Sequence, residues 1–189
     1  MSRRLPRLAA VLILAGATPA AAQIPDSFTN LRVLPRDISR DSLVEIMRRF
    51  SLSLGVRCTH CHVGQDRGSL HDIQFEKDDS AAKRKARVMM RMVQTLNQYV
   101  LPMVPDREEP HVVMECKTCH RGRPRPVLLT QEMRWALQTG GVDSAIARYR
   151  ELREAFENRG AYDFGEWEVN LFAEELARDG RGPVPRRTG

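Results

Sequence analysis

The chain has 189 residues, with 30 lysines and arginines against 24 acids and a formal charge of +6; this length fits one compact domain, or one domain with a small extension. Aromatics make up only 6% of the sequence and charged residues 29%, so a core built from side chains alone is modest unless something large and apolar helps to fill it. Arg3, Arg4 and Arg7 fall in a leader that holds no acid, and about +3 remains without it. That excess reads as a solvated mixed-charge surface and argues against a nucleic-acid partner.

In chain order, "MSRRLPR" is followed by the apolar run "LAAVLILAGA" and then by "TPAAAQ", where Ala20 and Ala22 form an A-x-A site. This is the layout of a secretory signal peptide over residues 1–22, cut before Gln23. The apolar run is short of the ~20 residues a spanning helix needs; an uncleaved anchor is the alternative. Residues 23–40 carry two prolines and read as an extended lead-in. A helix follows, capped by Asp41 or Ser42, with Leu43, Met47, Phe50 and Leu54 on one face and Gly55 at its end. The chain then enters "GVRCTHCHVG", residues 55–64. A second helix is expected from a Ser80 cap, with Met89, Met92, Val93, Leu96 and Val100 as its apolar face, basic residues opposite, and Pro102 as its stop. The polar loop "PDREEPH" leads to "MECKTCHRGRP", residues 114–124. The segment "RGRPRPVLLT" reads as extended. Helices over 130–139 and 142–158, joined at Gly140-Gly141, precede a third in "EWEVNLFAEELARDG" that ends at Gly180, and the tail 181–189 is expected to be disordered.

All four cysteines, Cys58, Cys61, Cys116 and Cys119, fall in C-x-x-C pairs, and each pair is followed at once by a histidine, His62 or His120. C-x-x-C-H is the pattern of c-type haem attachment. Two thiols three residues apart can reach the two vinyl groups on one porphyrin edge, and the next residue lies under the iron as proximal ligand. A four-cysteine zinc ribbon usually separates its pairs by ~15–20 residues, whereas 54 residues lie between Cys61 and Cys116. Zinc would also leave both histidines without a role, as would two redox disulfides. The sequence therefore implies two covalent c-type haems, with zinc or disulfides as the lesser readings. Their propionates would bring the net charge near or below neutral.

A six-coordinate iron needs a further ligand, and methionine or histidine is the usual choice. Taken alone, Met47 and Met89 read first as gap-filling core residues. The segments "LVEIMRRFSLSLGVRCTHCHVG" and "ARVMMRMVQTLN…ECKTCHRGRPRP" resemble the haem-binding segments of the cytochrome subunit of photosynthetic reaction centres, over roughly residues 30–128. In that family a haem unit is a helix, a turn and C-x-x-C-H, and the helix usually supplies an axial methionine. The resemblance, including the spacing of Met89, Met92 and Asn97, implies Met89 as axial ligand of the second haem and Met47 of the first. The chain departs from the family in carrying two haem motifs instead of four, and in lacking a cysteine for lipid attachment near the cleavage site. The family's loop histidine that reaches a distant haem corresponds to His111, which here can be an alternative ligand, a propionate partner or simply exposed. His60 and His71 are expected at the surface or near propionates. Residues 142–181 resemble one helix-turn-helix unit of the tetratricopeptide type, with Ala145, Tyr149, Leu152 and Phe156 facing Trp167, Leu171, Phe172 and Leu176. Such a hairpin cannot bury both sides alone and is expected to cap the second haem or to meet a partner.

The sequence thus leads to an all-α fold of helix–turn–CxxCH units around two covalent haems (residues 41–129), followed by a C-terminal helical extension (130–180). The expected function is a periplasmic dihaem c-type cytochrome that passes single electrons between periplasmic or membrane-bound redox proteins, as a free carrier or as a subunit of a photosynthetic or respiratory complex. The sequence offers no nucleophile–base constellation and reads as no enzyme. The alternative is a haem enzyme, or a gas- or peroxide-binding protein, with one open axial site.

Overall fold

The computed structural model describes residues 27–65, 70, 72–178 and 180; the expectations for the signal peptide, His71 and the tail 181–189 lie outside them. The described residues are all-α, with no strand beyond an isolated Val63–Gln74 bridge. Helix α1 spans Arg40–Leu54. Its cap is Ser39, not the expected Asp41 or Ser42: the Ser39 hydroxyl accepts from the Ser42 amide at 3.2 Å, satisfying an otherwise orphaned first-turn donor. Leu43 is buried while Met47, Phe50 and Leu54 are half-buried. Gly55 ends the helix in the left-handed conformation, φ 66°, which a residue without Cβ adopts at little cost.

Helix α2, Ala81–Thr95, is capped by Ser80. It does not stop at Pro102. Residues 96–100 continue as a π-turn and 101–103 as a 3-10 turn, where Pro102 is tolerated because a first-turn amide needs no helical partner. The inward face differs in part from the expected one. Val93 and Leu96 are half-buried as expected, joined by Ala86, Met90 and Asn97 and by the buried Lys83, whereas Met89 and Met92 stand 36% and 40% exposed and Val100 is exposed too.

Lys83 is held inside by the Phe75 and Lys77 carbonyls, both at 2.7 Å, and by Asp78 at 3.3 Å. Asp78 also accepts from Asn30 at 2.9 Å and Arg87 at 2.8 Å, and pairs with Arg32 at 3.4 Å. This hub fastens the lead-in to the start of α2. The Arg87 hydrogen bond, joined by Asn30 and Lys83 against the cost of burial, holds the Asp78 carboxyl well below the usual carboxylate range. A depressed carboxylate contributes stability that is complete above its unfolded pKa, ~3.9, and lost as pH falls toward the folded value. Between pH 5 and pH 3 the urea midpoint is therefore expected to fall further in the wild type than in Asp78→Asn. Equal falls would mean that the hub does not contribute.

Helix α3 is the five-residue turn Cys116–His120. Helix α4, Leu129–Phe156, is broken at Gly140 and Gly141, the latter at φ 75°, so it acts as the two helices expected there. Helix α5, Glu166–Arg178, packs on α4. Leu129, Met133, Leu152 and Phe172 form a buried apolar cluster between them. The inward face of α5 is Val169, Phe172 and Leu176. Trp167 and Leu171, expected to face inward, are exposed because the 3–4 spacing of Val169, Phe172 and Leu176 leaves them on the opposite side. Arg134 grips Glu175 with two hydrogen bonds of 2.7 Å, fixing α5 in register. No helix of the described residues is long and apolar enough to cross a membrane.

Candidate haem centres

The first C-x-x-C-H begins where Gly55 releases α1. Cys58–His60 form a 3-10 turn, closed by the His62 amide donating to the Cys58 carbonyl at 2.9 Å. The turn rests on the opening of α2: the Ser80 hydroxyl donates to the His60 carbonyl at 3.4 Å. Phe75 meets the half-buried His62 ring edge-on, with centroids 5.0 Å apart, and Lys83 holds the Phe75 carbonyl. Burial lowers the His62 pKa, the nearby Lys83 and Arg87 cations lower it further, and the Phe75 carbonyl partly offsets them. The ring is thereby kept neutral, the state that ligates metal. Its Nδ1 is buried without a hydrogen-bond partner among the described residues.

The second motif is α3. Its start is fixed by the Glu115 amide donating to the Thr118 hydroxyl at 3.0 Å. The approach to it is clipped by Asn97, whose side chain accepts from the Met114 amide at 2.8 Å and donates to the Met114 carbonyl at 2.9 Å. His120 is buried, and its Nδ1 lies 2.8 Å from the Arg123 carbonyl. Donation there directs the proton to Nδ1 and leaves Nε2 free to ligate, the usual outer support of a metal-bound histidine.

The two units are held together through α1 and the second motif. Helix α1 packs on α3, and the Gly122 amide donates to the Ser53 carbonyl at 2.8 Å. Each motif thus leans on the helix that opens the other unit: the first on α2, the second on α1. All four cysteines are free thiols. Burial raises the pKa of Cys61 and Cys116, with Cys58 adding to the first and Glu115 and Cys119 to the second. Met47 is half-buried on α1, and Met89 stands out from α2. His60 and His111 are exposed; His111 Nε2 sits 2.8 Å from a Glu109 carboxylate oxygen. Among the described residues no three or more His, Cys, Asp and Glu side chains gather as they would around a bare metal ion, which gives the zinc reading no support.

The chain fits a large flat apolar group. Among the described residues before Leu129, only Leu43 and Ile73 are buried apolar side chains, while Leu52, Val88, Met92, Val100, Met103 and Val112 are exposed. So many large apolar groups left facing outward around two C-x-x-C-H turns suit a cofactor that would cover them. Sequence reasoning missed Lys83, Arg87 and Arg123 as supports of the two histidines, since basic residues on a helix or in a Pro-rich stretch read as solvated.

A helical chain with paired thiols and a half-buried or buried imidazole in each of two C-x-x-C-H turns has the makings of a c-type cytochrome. Residues 39–133 match the family model of the photosynthetic reaction centre cytochrome C subunit, and the chain belongs to that family. It is therefore an electron-transfer haem protein, of a family that implies covalent haem and redox partners or a complex. No curated protein and no solved structure matches the chain.

Proposed function

We propose that this protein is a periplasmic dihaem c-type cytochrome that relays single electrons between periplasmic or membrane-bound redox proteins, including those of a photosynthetic or respiratory complex. The observation that carries the reading is the pair of C-x-x-C-H turns, each with free thiols and an imidazole suited to ligation, the second held against α1 through Gly122 and Ser53. The leader over residues 1–22 supports export. Bound haem iron supplies the one-electron couple. Cys58 and Cys61 would tether one haem, Cys116 and Cys119 the other, and His62 and His120 would ligate the two irons. Lys83, through Phe75, orients the first imidazole, and the Arg123 carbonyl orients the second. The exposed apolar side chains of α1, α2 and the segment 100–112 would exclude water.

Met47 would complete the ligation of the first iron and Met89 that of the second. Thioether ligation favours ferrous iron and raises the potential. In Met47→Ala and Met89→Ala one of two redox waves is expected at lower potential, with part of the near-infrared iron–thioether absorption lost. The packing of α1 on α3 favours a second reading in which the assignments are crossed; it is distinguished by which wave moves. If neither substitution moves a wave, the methionine assignments fail. High-spin bands in the wild type would favour the open-site haem enzyme instead.

A further inference from the structure

We propose that the C-terminal hairpin sets the reduction potential of the second haem by clamping Arg123, whose backbone carbonyl holds the His120 imidazole. The inference rests on the dihaem reading and adds a role for residues beyond the matched family segment.

Arg123 is 7% exposed. Its guanidinium lies 3.7 Å from the centroid of the Tyr162 ring, and one amino group donates to the Val127 carbonyl at 2.8 Å. Among the described residues its buried Nε has no hydrogen-bond partner. A buried cation with so few partners depends on the aromatic face beneath it. Tyr162 is in turn fixed by Phe156 at 5.5 Å and Phe164 at 5.9 Å between ring centroids, and its hydroxyl donates to Glu132 at 3.4 Å. These residues belong to the C-terminal helices and their connection. The chain of contacts therefore runs from the hairpin to Tyr162, to the Arg123 side chain, to the Arg123 carbonyl and to His120 Nδ1 at 2.8 Å. Hydrogen bonding at Nδ1 makes the imidazole a more basic ligand, which stabilises ferric iron and holds the potential down. Arg123 and Tyr162 are positioning residues: neither is proposed to touch iron.

The test is a redox titration of haem-loaded wild type, Tyr162→Leu, Tyr162→Phe and Arg123→Lys, with haem content measured on each. The second haem's wave is assigned in a Cys58→Ala/Cys61→Ala variant. Tyr162→Leu removes the aromatic face while keeping an apolar side chain, and Arg123→Lys keeps the charge but loses the planar stack. Both are expected to move the second wave to higher potential and leave the first in place, and Tyr162→Phe to restore it. Unmoved waves, equal movement of both, or a Tyr162→Phe shift as large as that of Tyr162→Leu would overturn the proposal. Proton NMR of the reduced wild type gives a reading that needs no variant to fold: the His120 Nδ1 proton is expected to exchange slowly, and its absence would also overturn the clamp. Wild type carrying two haems with unmoved waves sinks this inference alone; wild type without haem sinks the dihaem reading and the clamp together.

Discussion

Gly55→Ala is expected to destabilise the protein by on the order of 2–4 kcal/mol, read as a lower urea midpoint. Two costs add. Gly55 ends α1 at φ 66°, ψ 35°, a left-handed conformation that costs about 1 kcal/mol for a residue with a Cβ. That Cβ would also fall on the Gly122 carbonyl oxygen, well inside van der Waals contact and against backbone that cannot rotate away. Relief requires α1 and α3 to separate, which stretches the Gly122–Ser53 hydrogen bond of 2.8 Å. Gly122→Ala is the control. Gly122 also has a left-handed φ, 83°, but a Cβ there meets nothing within 4 Å, so only the conformational cost of about 1 kcal/mol applies. Equal losses in the two variants would mean that the helices do not approach as closely as described.

Replacing Cys116 and Cys119 by alanine is expected to halve the covalent haem content and to loosen residues 27–128 far more than α4 and α5. Before Leu129 the described residues bury only Leu43 and Ile73 among apolar side chains. Covering half a dozen exposed large apolar side chains contributes on the order of 10 kcal/mol at ~1.5–3 kcal/mol each, comparable with the whole stability of a small domain. The C-terminal helices have their own cluster of Leu129, Met133, Leu152 and Phe172 and should keep their amide protection. Hydrogen exchange resolves the two halves. Uniform loss of protection across both, or none in either, would contradict this division of the core.

The chemistry was more legible in the sequence than the supports around it. C-x-x-C-H fixes its own meaning through local spacing, and Gly55 and Ser80 mark their caps because each directly borders a periodic run. Asp41 and Ser42 are as good local acceptors as Ser39, so the cap is decided by where the first turn starts, which puts the Ser39 hydroxyl on the Ser42 amide. Lys83 and Arg87 lie on a face that reads as solvated. They are drawn inward by Asp78 and by the Phe75 and Lys77 carbonyls, partners that periodicity does not register. Asn97 was visible as part of a family pattern, yet its two bonds to the Met114 backbone are a tertiary fact. The stacking of Arg123 on Tyr162 joins residues 39 positions apart, so no local rule could place it.

The central claim is that this chain carries two low-spin haems, one on each C-x-x-C-H turn. The most direct measurement is the oxidised and reduced visible spectrum, with haem-to-protein ratio, of the full chain expressed from Met1 in a host that matures c-type cytochromes. The account predicts a ratio of two, low-spin bands in both states, and weak near-infrared iron–thioether absorption in the oxidised protein. Well-folded protein without covalent haem would contradict it.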